Sequence, residues 1–379
     1  MTVRKLRAAL TAILLGTATA GAVTLAMAVP AQALTVSAKV GPLLNEAKAL
    51  MTSGNYSAAM AKLREAESAK STPDDTAAIN SMKQYIGVKT GDAALGGAAG
   101  AKAKFANDYN AGKFKDVIAD ADLLRKNNAL DSQSQLIIGQ AYYKAGDYAG
   151  CVRYSKTIGG DTALELQARC AYEIGDDATQ RSALEQLVSR SGKPEYWKNL
   201  LRLSERVKGM SDHNTLDVNR IKMMTGNINT KDEYILLAQL ALQLGNAAEA
   251  QTVMEKGAAA KVLTDDRSAR LLALAKTQAA ANAAGEAKAL ADANAQPQGD
   301  ALLKVGENMI GEGKAKDAIG VIQNGLKKPL KDPANGQIRL GQAYLAAGQK
   351  GDAATAFGKV KEPPASATVA HLWSLVARR

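Results

Sequence analysis

The sequence predicts an all-α protein, a right-handed superhelical solenoid of about eight or nine stacked helix hairpins. Three observations lead to this prediction: turn glycines that recur along the chain, small residues at fixed distances from them, and an apolar fraction made mostly of small side chains. Of the 379 residues, 46% are hydrophobic but only 4% are aromatic. Helices with small side chains approach closely but form thin cores, which favours stacked helix pairs over one large core.

A glycine recurs where the first helix of each predicted hairpin ends. Glycine suits this place because a helix often ends in a left-handed residue, a conformation that glycine adopts at little cost. Most intervals are close to one period, and the interval from Gly245 to Gly313 is two, so we expect a glycine-free turn near Asn282. The interval from Gly54 to Gly112 does not fit the period. We call the following the marker glycines: Gly54, Gly112, Gly146, Gly175, Gly209, Gly245, Gly313 and Gly348.

Small residues stand where the two helices of each hairpin would cross. They precede the marker glycines as Ala47, Gly139, Ala168, Ala238, Gly306 and Gly341 and follow them as Ala59, Val117, Cys151, Ala250, Ala318 and Ala353. Larger apolar residues follow one turn later and are expected to fill the space between hairpins: Leu63, Leu184, Met254, Ile322 and Phe357. We expect all of these side chains to be buried.

Two segments share the sequence Gly-Gln-Ala-Tyr followed by Ala-Gly, namely 136–148 and 340–348. Prolines follow several second helices, as at Pro73, Pro329 and Pro363. This pattern resembles the tetratricopeptide repeat (TPR) family over most of the chain, and it is strongest at 133–160 and 335–363. The resemblance implies binding of a protein or peptide in a concave groove, without naming the ligand.

The chain begins with features of an exported protein. Residues 1–33 resemble a secretory signal peptide, with Arg4, Lys5 and Arg7 before an apolar stretch and Ala31-Gln32-Ala33 at the cleavage site. The alternative is an uncleaved membrane anchor. We expect a bacterial protein that is located in the periplasm. The second expectation is a protein released into the extracellular medium. After the signal peptide, the sequence predicts four segments: one or more hairpins at 34–90, an irregular Gly/Ala-rich joint at 91–102, the solenoid at 103–363 and a capping helix at 364–379.

No catalytic constellation is present in the sequence. The two histidines, His213 and His371, form no His-Glu-x-x-His pair, and neither a phosphate-binding loop nor a Gly-x-Ser-x-Gly elbow occurs. We therefore expect no enzyme activity, no cofactor and no metal. Cys151 and Cys170 fall on helices that would be neighbours, so they either form a disulfide or are two small buried residues.

In the TPR family the first helix of each repeat lines the groove, and this resemblance places one row of residues there. The candidate partner-binding residues are Gln140, Tyr143, Lys144, Gln239, Gln243 and Gln342. Amides on a groove wall bind an extended peptide backbone, because they donate and accept hydrogen bonds at once. The alternative is that they are merely solvated polar residues.

These observations predict a scaffold or adaptor of the bacterial envelope that holds a protein or peptide partner, with no nucleic acid bound. A second hypothesis is binding of an anionic polymer, such as an exported polysaccharide or a wall component, through a basic face. The formal net charge of +11 is compatible with it, but the low aromatic content argues against a sugar site. A helical glycosidase would need a catalytic domain with a buried acid, and the repeats leave no span for one.

Overall fold

The computed structural model describes residues 35–379. The predicted signal peptide, residues 1–33, lies outside the described residues. The described part divides into two compact units, one that ends at Ala103 and one that covers Lys104–Arg379. It consists of α-helices joined by short turns, and no strand occurs within it. The prediction of an all-α helical repeat is therefore confirmed.

The described residues form 19 helices. In chain order they are α1 (Gly41–Thr52), α2 (Tyr56–Ala69), α3 (Pro73–Thr90), α4 (Ala93–Asn110), α5 (Phe114–Lys126), α6 (Ser132–Lys144), α7 (Tyr148–Ser155), α8 (Asp161–Glu173), α9 (Asp177–Ser191), α10 (Pro194–Ser204), α11 (Asp212–Met224), α12 (Lys231–Gln243), α13 (Ala247–Ala259), α14 (Asp266–Ala295), α15 (Asp300–Gly311), α16 (Ala315–Leu326), α17 (Pro333–Ala346), α18 (Lys350–Gly358) and α19 (Pro364–Ala377).

Each marker glycine lies in the turn between two helices of a hairpin and has a positive φ, between +71° at Gly112 and +83° at Gly209. The eight turns join α1 to α2, α4 to α5, α6 to α7, α8 to α9, α10 to α11, α12 to α13, α15 to α16 and α17 to α18. The remaining helices, α3, α14 and α19, are not part of such a hairpin. The glycine pattern thus predicted every one of these turns, because only glycine adopts this conformation without strain.

The predicted crossing residues are buried in both units. Ala47, Ala59 and Leu63 lie in the core of the first unit, and their counterparts in the second are buried as well. At Gly306 and Gly341 there is no room for a side chain, since an added Cβ would lie 2.4 Å from Ile322 and 2.4 Å from Phe357, respectively. These glycines therefore set how closely the helices of their hairpins approach.

In the first unit the structure differs from the expected irregular joint at 91–102. This segment is mostly helical and forms the start of α4, with a break at Gly97, where φ is +54°. A Cβ on Gly87 of α3 would lie 2.2 Å from the backbone nitrogen of Gly96. The glycines here bring the backbones of α3 and α4 into contact. From composition alone, the same glycines suggested a loose linker.

In the second unit the expected turn near Asn282 is absent, and this prediction was wrong. Residues Asp266–Ala295 form one continuous helix, α14, of 30 residues. The segment contains no proline and is rich in alanine, so nothing in it ends a helix. The Asn282 side chain instead donates a hydrogen bond to the carbonyl of Gly245, at 3.3 Å.

The second unit also closes on itself through its C-terminal helix. Helix α19 packs against α9, α11, α17 and α18. One apolar cluster contains Trp197 of α10, Val218 of α11, Phe357 of α18 and Trp373 of α19. Asn214 of α11 and Ser366 of α19 are buried and hydrogen-bonded to each other at 3.4 Å. The helix that the sequence indicated as an end cap is therefore a central part of the core.

Candidate functional site

The first candidate site lies on α6 and on the helices that pack beside it. Asp131 caps the N-terminus of α6 by accepting a hydrogen bond from Ser134 N at 2.8 Å. Ile138 and Ala141 then turn inward and are buried, whereas Gln140 and Lys144 are exposed. Residues four apart share a helix face, so Gln140 and Lys144 form one outward row.

Aromatic and basic side chains from adjacent helices gather around this row. We call the following residues the aromatic–basic patch: Tyr109, Phe114, Gln140, Tyr143, Lys144, Tyr148 and Arg169. Only 16 aromatic residues occur in the whole chain, counted as 2 Trp, 11 Tyr and 3 Phe, and four of them lie in this patch. All four are half-buried, so each shows part of its ring to solvent.

Three cation–π contacts order the patch. Lys144 Nζ lies 4.8 Å from the ring centre of Tyr109 and 5.0 Å from that of Phe114, and it donates to the Tyr109 hydroxyl at 3.2 Å. The Arg169 guanidinium lies 4.1 Å from the ring centre of Tyr143. Exposed contacts of this kind contribute roughly 0.5–1 kcal/mol each. They hold the side chains in place before any partner arrives, which lowers the entropic cost of binding.

Tyr143 connects α6 to α8. Its hydroxyl donates to Glu173 Oε1 at 3.2 Å, and its ring lies 5.3 Å from that of Tyr148. Burial raises the pKa of Tyr143 above its ordinary value, against the opposing effect of Arg169. Because an ordinary tyrosine already titrates near pH 10, this hydroxyl remains a hydrogen-bond donor at neutral pH.

A disulfide bond fixes the helices behind the patch. Cys151 of α7 and Cys170 of α8 are joined, with 6.1 Å between their Cα atoms, and both are fully buried. Cys170 follows Arg169 directly. The bond therefore holds α7 against the helix that carries one of the two cations of the patch.

The other candidates from the sequence lie elsewhere in the second unit. Gln239 and Gln243 are exposed on α12, which packs against α11 and α13. The Gln243 amide donates to Asp212 Oδ2 at 2.9 Å.

Gln342 of α17 is buried, and the expectation that it faces a partner needs correction. Its amide nitrogen donates to Asp217 Oδ1 at 2.6 Å, and its oxygen accepts from Arg339 Nη1 at 2.6 Å. Gln342 does face inward, as the repeat pattern implied. However, the helices close around that inner face and bury it.

A network of buried charges occupies this interior. Arg339 and Asp217 are both fully buried and paired through two hydrogen bonds, of 2.9 Å and 2.6 Å. Arg220 contacts Asp217 at 2.9 Å, Glu249 at 2.5 Å and Glu307 at 2.9 Å. Arg339 also contacts Glu307, at 2.8 Å. The network links α11, α13, α15 and α17, so it joins parts of the array that are distant in sequence.

The network favours the charged forms of Glu307 and Arg220. Burial opposes ionisation of Glu307, but Arg339 and Arg220 outweigh it, so the pKa of Glu307 lies below its ordinary value. Burial likewise opposes the charge of Arg220, and Glu249 and Glu307 more than compensate by raising its pKa. Nearby His213 has a lowered pKa, because it is partly buried and stands close to Arg339.

The sequence analysis missed this network, although one signal was present. Arg339 occupies the position of Ile137 in the other segment that carries Gly-Gln-Ala-Tyr, two residues before the shared glycine. A charge at a position that is apolar in the matching repeat indicates a buried partner. No comparable signal identifies Asp217 as that partner.

Residues 35–379 contain no group of three or more histidine, cysteine or acidic side chains placed to hold a metal ion. Within the same range, no helix combines the length and the apolar character needed to cross a membrane.

Comparisons with known proteins give structural similarity only. A TPR protein from Parabacteroides merdae is 14% identical, with 74% of this chain and 98% of that chain covered, at a TM-score of 0.29. The TPR domain of P58(IPK) is 14% identical, with 90% and 98% covered, at 0.22. A structure of Naa15/Naa10 bound to HypK-THB is 12% identical, with 84% of this chain and 52% of that chain covered, at 0.33. No protein-family model and no curated protein matches the sequence. This chain therefore resembles TPR proteins, but TM-scores this low carry no argument about its function.

Proposed function

We propose that this protein is a non-enzymatic scaffold that binds a protein partner through the aromatic–basic patch on α4, α5, α6, α7 and α8. The observation that carries the proposal is the set of three cation–π contacts that Lys144 and Arg169, both exposed, make with the aromatic rings of the patch. Partly exposed tyrosines next to arginine are the residues that most often dominate the energy of protein interfaces.

The interior of the second unit supports the same choice of surface. On α17, Gln342 and Arg339 are not available to a partner, because both are buried and hydrogen-bonded to Asp217 in the charge network. Among the candidate rows, α6 presents exposed polar atoms together with aromatic area. Its groups would contact the backbone and side chains of an extended segment of the partner.

We further propose that the protein acts in the bacterial envelope after export, with the periplasm as its location. The composition of residues 1–33 supports this, and so does the disulfide, because such bonds persist mainly in oxidising compartments. Cell fractionation with N-terminal sequencing of the isolated protein tests it. Cleavage after Ala33 is the expected result, and an intact Met1 on a cytoplasmic protein contradicts it.

The partner proposal is tested by site-specific crosslinking. A photoreactive amino acid at position 140 should capture a discrete partner from envelope extract, and the partner is identified by mass spectrometry and then purified. The purified partner should bind the wild type and lose at least tenfold in affinity with Gln140→Ala/Tyr143→Ala/Lys144→Ala.

The matched control is Gln239→Ala/Gln243→Ala, which changes two exposed amides on α12 and should leave the affinity unchanged. An equal loss of affinity in both variants would contradict the proposal that the aromatic–basic patch is the binding surface. Capture that disappears with moderate salt and ignores the triple substitution would instead indicate binding of an anionic polymer.

A further inference from the structure

A cavity of about 320 Å³ lies inside the second unit, next to the charge network. Five helices form its walls: α11, α12, α13, α15 and α17, and α19 adds a side chain. The larger apolar side chains of the lining include Met223, Met224, Leu237, Ile310, Leu345 and Trp373. A volume of this size is at the lower end of the range for small-molecule sites.

One end of this cavity is polar and carries buried charge. Arg220, Glu249 and Glu307 line it, and all three belong to the network described above. The five charged members of the network are two arginines against three carboxylates, so the buried network has a formal charge of −1, whereas Lys256, the other charged residue of the lining, is solvent-exposed. Glu249 is the least buried member of the network, with 19% of its side chain exposed to solvent. Burial makes such an excess charge costly unless a cation comes close.

Part of the cavity lining is open to solvent. Met224 is 57% exposed there, and Lys256 and Ala346 are exposed as well. Methionine side chains adapt their shape to different apolar groups. Trp373 is buried, and its indole nitrogen has no acceptor among the described residues.

We propose that this cavity is a binding site for a small amphipathic amine, a molecule with an aliphatic or aromatic body and one protonated amino group. The body lies against the methionines, Ile310 and Leu345, and the ammonium group lies beside Glu249 and Glu307. The excess of one carboxylate at the polar end supplies the charge complementarity. This site is separate from the aromatic–basic patch and does not depend on the proposed function.

The test compares three probes of equal chain length by titration calorimetry on the intact protein. n-Octylamine should bind at least tenfold more tightly than 1-octanol, and octanoate should bind more weakly than either. Equal affinities for the three probes, or no binding of n-octylamine, would overturn the proposal.

Two variants locate the site. Ala346→Phe places a ring at the exposed mouth and should weaken n-octylamine binding at least tenfold, whereas Ala281→Phe, on the exposed face of α14, should not change it. Glu249→Gln should reduce the preference for n-octylamine over 1-octanol and leave 1-octanol binding unchanged. Full affinity in Ala346→Phe would place the amine elsewhere and overturn the assignment.

Discussion

At the scale of single residues, the glycines of this chain have two distinct uses. The marker glycines provide positive φ in turns, whereas Gly139, Gly306 and Gly341 lie inside helices and keep space free. A glycine within a helix costs roughly 0.5–1 kcal/mol relative to alanine. At Gly341 the close packing of Phe357 against the helix backbone outweighs that cost.

We expect Gly341→Ala to lower the free energy of unfolding by about 1–3 kcal/mol, because the new methyl group would overlap the Phe357 ring. The matched control is Gly320→Ala on α16, where an added Cβ meets no atom within 4 Å. That variant should gain about 0.5–1 kcal/mol from helix propensity. Urea denaturation of both proteins measures the two effects. Similar changes of the same sign would contradict the argument.

The second residue-scale feature is the pair formed by Arg339 and Asp217. Both side chains are fully buried, so each charge has lost its contact with water. Replacing one of them alone leaves the other charge buried without its partner. Arg339→Met should therefore destabilise the protein by about 3–5 kcal/mol. In Arg339→Met/Asp217→Leu the remaining network keeps its formal charge of −1, so the loss should be smaller than the sum of the two single losses.

A double-mutant cycle in urea measures this coupling. If the two single losses simply add up in the double variant, the pair does not interact as the structure indicates. If Arg339→Met alone is neutral, the network does not stabilise the closed arrangement.

At the scale of elements, helix starts depend on polar residues just before them. Helix α3 begins with a capping box, in which Thr72 accepts from Asp75 N at 3.1 Å and the Asp75 carboxylate accepts from Thr72 N at 3.1 Å. The same carboxylate accepts from Ser71 N at 2.9 Å and from Ser37 N at 2.8 Å. Asp75 thus ties the segment before α1 to the start of α3.

This arrangement makes the start of α3 sensitive to acid. The backbone N–H groups of Ser71, Ser37 and Thr72 hold the pKa of Asp75 well below its ordinary value, against the effect of burial. Since the folded pKa is depressed, the stabilisation is complete above the unfolded pKa of about 3.9 and is lost as the pH falls.

Amide hydrogen exchange of residues 73–90 should therefore accelerate between about pH 5 and pH 3 more in the wild type than in Asp75→Asn, after correction for the intrinsic pH dependence. The asparagine side chain does not titrate, so it accepts hydrogen bonds equally well at pH 5 and at pH 3. An equal acceleration in the two proteins would show that Asp75 is not the titrating group.

At the scale of the second unit, the decisive feature is its closure. Side chains of α9, α10 and α11 share one apolar cluster with α18 and α19. In a simple stack of hairpins, each helix contacts only helices of its own and adjacent repeats. Here α11 also packs against α19, which lies far from it in the sequence. The closure also creates the cavity and removes Gln342 from solvent.

Truncation after Glu362 removes α19 and should expose the faces of α9 and α11 that it covers. We expect loss of cooperative thermal unfolding in the second unit and increased binding of a hydrophobic dye. The control removes only Arg378 and Arg379, of which Arg379 donates to the Gly192 carbonyl at 3.1 Å. That change should cost less than about 1 kcal/mol. Unchanged unfolding in the longer truncation would contradict the role of α19.

The helical repeat, the place of eight turns and the residues at the crossings follow from the amino-acid pattern, because each of these depends on contacts within one period. It also predicted that Gln140, Tyr143 and Lys144 belong to one row of α6 that lines a groove, which stays a prediction. The contacts of Phe114 and Arg169 with these residues, and the pairing of Arg339 with Asp217, emerge only in the folded chain. Those contacts join residues up to 122 positions apart, and a local pattern carries no record of a partner at that distance.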